Sequence, residues 1–388
     1  MSFEKYENCI TGLIKSAILK EDTFETDNSV DMNILKNIII SHNIVNIVFP
    51  LLDSTGLASG VLSKKFNAAI YIDTNQQYYL EILKKRFEEE KIRFVCMKGA
   101  YLKTLYPESY MRSSSDIDIF VDDENTDKVH DIMTELGFKT DRFSHQMQDD
   151  SYTKDNIVHI EIHRKLISNK CPWDAKCQDI VNRIVPVCKG SYEYRMTDED
   201  FYLHMIGHMA KHMKYSGFGI RMLIDVWVYL NAFQNKMDRK LLDERLSACG
   251  LDKFEKEIGK LVDYWFNGKA ADKETKELSR YVFESGIFGN KKQFKATELV
   301  NNQGKTQSKR LGILVKLVKG FFLPYENMCL LYPTLSKYRI LLPFYRIYRA
   351  FNIIIFKNKK IIEASKEYDD MDMNYADRVV KLKKRLGL

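Results

Sequence analysis

Two short stretches of alternating polar and apolar residues constrain this chain more than any other feature. The sequence DIDIFV (116–121) carries Asp116 and Asp118 two positions apart, and HIEIH (159–163) carries Glu161 between two isoleucines. Successive side chains of a β-strand point to opposite faces of the sheet. Each stretch therefore predicts a strand whose apolar side chains lie on a core and whose acidic side chains lie on the other face.

If these two strands are neighbours, Asp116, Asp118 and Glu161 share one open sheet face. Carboxylates that lie close together repel one another unless a cation compensates their charge. Carboxylate oxygens are the ligands that magnesium prefers. We therefore predict a Mg²⁺ site, with two ions, that has these three residues as ligands. A solvated face of an edge strand is the alternative interpretation of the same pattern.

The residues before the first aspartate predict an anion site. Lys98 and Gly99 follow the apolar run 94–97 and precede a short helical pattern. A turn from a strand into a helix presents backbone N–H groups and the positive end of a helix dipole to an anion. Together with Arg112 and Ser115, this turn predicts a site for a triphosphate beside the metal ligands.

The order of these residues resembles the polymerase-beta-like nucleotidyltransferase superfamily, and within it a bacterial family of uncharacterised nucleotidyltransferases. The matching positions are Met97-Lys98-Gly99, Tyr106-Pro107, Arg112 through Asp118, Glu161-Ile162-His163 and, further on, His208, His212, Arg221 and Asp225. The resemblance covers about residues 94–230. One departure is Ala100, which stands where the superfamily usually has a serine or glycine after Gly99.

The resemblance implies a Mg²⁺-dependent enzyme that moves a nucleoside monophosphate from an NTP to an acceptor hydroxyl and releases pyrophosphate. The expected metal-binding and catalytic residues are Asp116, Asp118 and Glu161. The expected nucleotide and phosphate contacts are Lys98, Gly99, Arg112, Ser115, His163, His208, His212 and Arg221. Small molecules, glycans, peptides and RNA are all compatible acceptors. The alternative is a catalytically degenerate protein of the same fold that binds a nucleotide, RNA or a membrane surface.

The predicted fold class is α+β, with a small mixed-sheet, polymerase-beta-like core between helical regions. Helical periodicity predicts an N-terminal helical cap over residues 1–92. The catalytic core is expected at 93–196 and a helical bundle at 197–290. A basic, largely helical C-terminal extension is expected at 291–388.

Three histidines of the bundle, His204, His208 and His212, are spaced four apart and so lie on one helix face. This is also the spacing of paired zinc ligands, so a zinc hydrolase is a further alternative. On the next helix Arg221 and Asp225 are four apart. They can pair with each other, or Arg221 can reach the phosphates.

Charge is distributed unevenly along the chain. Residues 291–388 have 21 basic and 8 acidic residues, about +13, while the whole chain is +7. The segments 311–323 and 338–356 mix these cations with aromatic and aliphatic residues. They are expected to lie on an anionic membrane surface, to bind RNA, or to form a bundle with a solvated basic face.

The seven cysteines are scattered and never form C-x-x-C. This pattern favours free thiols over a disulfide framework. The first 22 residues lack the basic start and long apolar run of a signal peptide. We therefore expect a cytoplasmic protein, with peripheral membrane contact if the C-terminal region binds lipid.

Overall fold

The structure, a computed structural model, describes residues 3–21, 29–145, 147–167, 171–287, 289, 293–294, 323–356 and 373–388. The chain forms two compact units. The first comprises Met1–Met213, Gly217–Gly289 and Leu386–Leu388, and the second comprises Lys214–Ser216 and Asn290–Arg385.

The first unit is built around one mixed, seven-stranded sheet. Its strands are β1 (Phe94–Cys96), β2 (Ile117–Val121), β3 (Lys139–Arg142), β4 (Asp149–Lys154), β5 (Val158–His163), β6 (Val185–Pro186) and β7 (Glu193–Arg195). Their order across the sheet is β3-β4-β5-β2-β1-β7-β6. The α+β prediction is therefore confirmed.

Strand β2 lies between β1, to which it is antiparallel, and β5, to which it is parallel. The β2–β5 register places Asp118 directly opposite Glu161. Both alternating stretches thus form strands, and the strands are neighbours. The isoleucines of the two strands, Ile117, Ile119, Ile160 and Ile162, are buried in one core cluster. The polar side chains are left on the other face of the sheet.

Helices cover both faces. The first unit has α1 (Phe3–Leu19), α2 (Met32–Ser41), α3 (Val45–Ser54), α4 (Gly60–Glu89), α5 (Lys98–Leu102), α6 (Thr126–Glu135), α7 (Asp198–Tyr215), α8 (Ile220–Phe233), α9 (Arg239–Cys249), α10 (Asp252–Phe266) and α11 (Lys273–Phe283). Apolar residues of α4 and α6, such as Leu83 and Val129, pack against the apolar sheet face. Helix α7 faces the polar side, so the polar side chains of β2 and β5 lie in a cleft.

Two helix ends near the site have the local chemistry that is typical of helix caps. Helix α6 is followed by Gly137, which has a φ of +73°, a conformation that costs glycine little. The Thr197 hydroxyl accepts a hydrogen bond from the backbone N–H of Asp200 at 3.2 Å, which satisfies one of the free N–H groups at the start of α7.

Strands β6 and β7 were not predicted. They have two and three residues, too few to show an alternating pattern. Strand β7 pairs in parallel with β1 and extends the sheet on the side away from β5.

The described helices of the second unit are Tyr325–Leu331, Thr334–Lys337, Leu342–Phe356 and Met373–Arg385. Of the predicted segment 311–323, all but Leu323 lies outside the described residues. Across the described ranges, no helix combines the length and apolar character needed to cross a membrane.

Candidate active site

Two carboxylates and one imidazole converge on the polar face of β2 and β5. Ligand atoms of Asp118, Glu161 and His163 all lie within 4.8 Å of one another. His163 Nε2 is 2.7 Å from Asp118 Oδ1 and 3.5 Å from Glu161 Oε2. Among the described residues, no other group of three or more His, Cys, Asp or Glu side chains has its ligand atoms this close to one another. Its donors, oxygen and imidazole nitrogen, suit a divalent cation.

Asp118 is held as an anion in a buried position. Its side chain is 3% exposed, and it accepts a hydrogen bond from Lys98 Nζ at 2.6 Å. Burial raises the pKa of Asp118, but the hydrogen bonds and positive charges of His163 and Lys98 outweigh burial and hold this pKa well below its usual value of 3.8. A carboxylate that stays ionised when buried is ready to bind a cation.

Asp116 lies at the edge of this cluster. It precedes the first residue of β2, is partly exposed, and its Oδ1 accepts a hydrogen bond from Ser115 Oγ at 3.1 Å. It is outside the group formed by Asp118, Glu161 and His163. The three predicted metal ligands therefore do not converge as one set in this structure, whereas His163, predicted as a nucleotide contact, lies beside two of them.

The turn after β1 approaches the neighbouring loop very closely. A Cβ added to Gly99 would lie 2.8 Å from Ser114 Oγ and 3.4 Å from Arg112 Nη1, so only glycine fits there without a shift. Lys98 has a φ of +42°, a strained conformation for a residue with a side chain. Strain of this kind is concentrated at functional sites, and here it lies at the residue that contacts Asp118.

A buried ion pair holds Arg112. Its Nε donates to both oxygens of Asp225 on α8, at 2.8 and 3.0 Å, and Tyr106 donates to the same carboxylate at 2.7 Å. Arg112 Nη1 also donates to the carbonyl of Ser113 at 2.6 Å. The loop before β2 is thereby fixed to α8.

Arg221, one turn before Asp225, points to the same loop. Its Nη1 lies 3.3 Å from both the carbonyl and the hydroxyl oxygen of Ser113. Burial, and the nearby charge of Arg112, lower the pKa of Arg221 to about 10, so it remains a cation at neutral pH. The sequence offered Asp225 as a partner of Arg221, whereas in the structure Asp225 pairs with Arg112 at 2.8 Å.

Two cavities meet at this face. The smaller cavity, about 240 Å³, is lined by Gly99, Arg112, Ser115, Asp116, Asp118, His212 and Arg221 among others. The larger cavity, about 400 Å³, is lined by Glu161, His163, Lys165, Trp173, Cys177 and Lys211 among others. Lys98, His204 and His208 line both. Every residue that the sequence assigned to the site thus borders one cavity or the other.

The histidines of α7 form the wall opposite the sheet. Burial lowers the pKa of His204 to about 3 and that of His212 to about 4, so both are neutral at physiological pH. His208 and His212 are 3.3 Å apart through their Nε2 atoms. The three imidazoles do not form a group of close metal ligands among the described residues. This arrangement favours substrate contact over the zinc alternative.

Several residues that line the two cavities were not among the predicted nucleotide contacts or metal ligands of the transferase site. His204 Nε2 is closed off from solvent and has no hydrogen-bond partner among the described residues. Its spacing from His208 placed it on the same helix face, where the sequence offered it only as a zinc ligand, and in the structure both histidines line both cavities. Trp173 and Lys211 line the larger cavity without a motif that would have identified them.

The polar face of the sheet thus combines carboxylates, a glycine turn in close contact with an arginine loop, and a cavity lined by cations. The model of a family described as uncharacterised nucleotidyltransferase matches residues 28–267, more than half of the chain. The chain therefore belongs to this family, and the predicted family is confirmed. Comparison with curated proteins gives no match.

Proposed function

We propose that this protein transfers a nucleoside monophosphate from an NTP to an acceptor hydroxyl and depends on Mg²⁺. The observation that carries the proposal is the convergence of Asp118, Glu161 and His163 at the junction of two cavities. A degenerate family member would be expected to lack part of this set. Here each position is filled and Asp118 is kept ionised.

The smaller cavity is the better site for the triphosphate. Arg221 and Lys98 line it, and Gly99 allows the backbone of the turn to approach a phosphate. Arg112 already shares its charge with Asp225. We therefore assign Arg112 mainly to holding the loop in place, and Arg221 to binding phosphate oxygens, for which a guanidinium is well suited.

The larger cavity is then left for the acceptor. It contains Glu161, whose carboxylate can take the proton of the acceptor hydroxyl if the two come within hydrogen-bond reach. The hydroxyl oxygen attacks the α-phosphorus, the bond between that phosphorus and the bridging oxygen of the β-phosphate breaks, and pyrophosphate leaves. The remaining catalysis is positioning and charge neutralisation by the cations of the cleft.

Asp118, Glu161 and His163, with Asp116 beside them, would hold the metal. When bound, Mg²⁺ would neutralise phosphate charge and favour loss of the acceptor proton. Carboxylate ligands suit Mn²⁺ as well as Mg²⁺, so the binding test includes both ions.

The test is calorimetric titration of each of the four NTPs into the protein, with and without Mg²⁺ or Mn²⁺. We expect metal-dependent binding of at least one NTP to the wild type and its loss in Asp118→Asn and Asp116→Ala. Asp123→Ala, which removes an exposed carboxylate just beyond β2, is the matched control and should bind normally. Equal binding by wild type and Asp118→Asn would refute the site assignment.

A further inference from the structure

A row of apolar side chains on the second unit lies open to solvent. Phe344, Ile347, Tyr348 and Phe351, the apolar row, are 70%, 58%, 56% and 61% exposed. Their spacing of three and four residues within the Leu342–Phe356 helix places them on one helix face. Single exposed apolar residues are ordinary, but a contiguous row of large ones marks a surface that contacts a partner.

The charges around the row have one sign. From Tyr332 to Phe356 the chain has four basic residues, Lys337, Arg339, Arg346 and Arg349, and no acidic residue. Lys337 and Arg339 are exposed just before the helix, and the Arg339 guanidinium lies 4.6 Å from the centroid of the Tyr325 ring. A partner of this surface must therefore be both apolar and anionic.

We propose that the apolar row and its flanking cations bind the surface of a lipid bilayer that contains anionic lipids. An amphipathic helix of this kind inserts its apolar face among the acyl chains while its cations contact the headgroups. The Leu342–Phe356 helix is about 22 Å long, against about 30 Å for the hydrocarbon core, so it suits the plane of the interface.

RNA is the competing partner, and the composition of the row disfavours it. A protein binds single-stranded RNA by stacking bases on aromatic rings and by phosphate contacts along a cationic groove. Three of the four side chains, Phe344, Tyr348 and Phe351, are aromatic and could stack, but Ile347 lies among them and Ile340, at 83% exposed, extends the surface as an aliphatic residue. Aliphatic side chains gain little from bases and much from acyl chains.

The proposal rests on residues 332–356 alone and does not depend on nucleotidyl transfer. The test is sedimentation of the full-length protein with vesicles of phosphatidylcholine, alone and mixed with phosphatidylglycerol. We expect binding to the mixed vesicles that weakens with added salt. The double variant Phe344→Ser with Phe351→Ser should bind at least about tenfold more weakly, because it removes two apolar anchors. Lys337→Gln with Arg339→Gln should weaken binding to the mixed vesicles only.

The matched control is Tyr71→Ser with Tyr78→Ser, which removes two aromatic side chains of similar exposure, 58% and 62%, from α4. It should bind vesicles like the wild type. All substituted positions are exposed, and circular dichroism should show that each variant folds.

Three results would overturn the proposal. The first is that the wild-type protein stays in the supernatant when the mixed vesicles are sedimented. The second is that the variant without both phenylalanines still binds the vesicles. The third is that the apolar row binds a partner other than lipid. The last case would appear as a gel shift of a single-stranded RNA, or as a dimer in analytical ultracentrifugation, that is lost in the phenylalanine double variant while vesicles are not bound.

Discussion

Replacing Asp118 by asparagine keeps the size of the side chain and removes its charge. The wild-type carboxylate accepts hydrogen bonds from Lys98 at 2.6 Å and from His163 at 2.7 Å. A surface ion pair contributes about 1 kcal/mol or less, and breaking a fully buried one costs about 3–5 kcal/mol. Because Asp118 is 3% exposed and Lys98 is 27% exposed, we expect a loss of about 2 kcal/mol in the free energy of unfolding.

The pH dependence of this loss has a definite sign. The pKa of Asp118 is lowered in the folded protein, so its contribution to stability is complete above its usual pKa of 3.8 and disappears as the pH falls through the folded-state pKa. The difference in stability between wild type and Asp118→Asn should therefore be constant near neutral pH and shrink in acid. Urea unfolding of both proteins at several pH values measures it.

A double-mutant cycle identifies the cause. In Asp118→Asn, Lys98 remains as a cation without its carboxylate partner, and Lys98→Met removes that cation. The two changes together should therefore lower the free energy of unfolding by less than the sum of the single changes. The coupling energy should be about 1–2 kcal/mol. Two results would refute this explanation. One is that the losses of unfolding free energy in the two single variants add up to the loss in the double variant, and the other is that the stability difference between wild type and Asp118→Asn grows as the pH falls.

Three further predictions concern single features of the cleft. Arg221→Ala should weaken NTP binding in calorimetry by about tenfold to a hundredfold, because a charged hydrogen bond contributes about 1.5–3 kcal/mol; unchanged affinity would remove Arg221 from the phosphate site. Gly99→Ala should lower nucleotide binding, since its Cβ would meet Ser114 Oγ, and Gly99→Ala with Ser114→Gly should recover part of it. The Sγ atoms of Cys177 and Cys249 are 2.7 Å apart, so hydrogen peroxide should oxidise the two thiols to a disulfide and be reduced to water. Mass spectrometry should find the two peptides linked in the wild type and not linked in Cys249→Ser.

The strands that carry the site could be predicted because their sequences contain the physical signal. Strand β2 covers the predicted stretch except Asp116, and β5 pairs with it so that Asp118 lies opposite Glu161. The two-residue period of a strand fixes which side chains share a face, and burial of the isoleucines fixes which face is the core. The acidic face then follows without knowledge of the rest of the fold.

The position of Asp116 could not be predicted in the same way. It precedes the first residue of β2, and the alternation that places Asp118 does not extend to a residue outside the strand. The case of His163 is different, because it lies within β5 and the two-residue period does place it on the face of Glu161. The period does not show that its ring reaches Asp118 on the neighbouring strand.

Long-range polar contacts lie further beyond sequence reasoning. Arg112 and Asp225 are 113 residues apart, and local spacing offered Arg221 as the partner of Asp225 instead. A helical spacing of four makes two side chains neighbours, but it does not decide which of them is closer to a third residue from another element. The packing of α8 on the loop before β2 decides it here.

The Arg112–Asp225 contact also links the carboxylate face of the sheet to the helices that follow it. Helix α8 supplies Arg221 to the smaller cavity and Asp225 to the arginine of the loop before β2, and Tyr106 adds a third contact to the same carboxylate. Without α8 the buried guanidinium would lose its counter-ion, a change that costs about 3–5 kcal/mol in buried pairs. The family match, which runs from residue 28 to 267, includes α8 together with the sheet. Sheet and helices therefore form one functional unit, in which the strands hold the carboxylates and the helices hold the cations that face them.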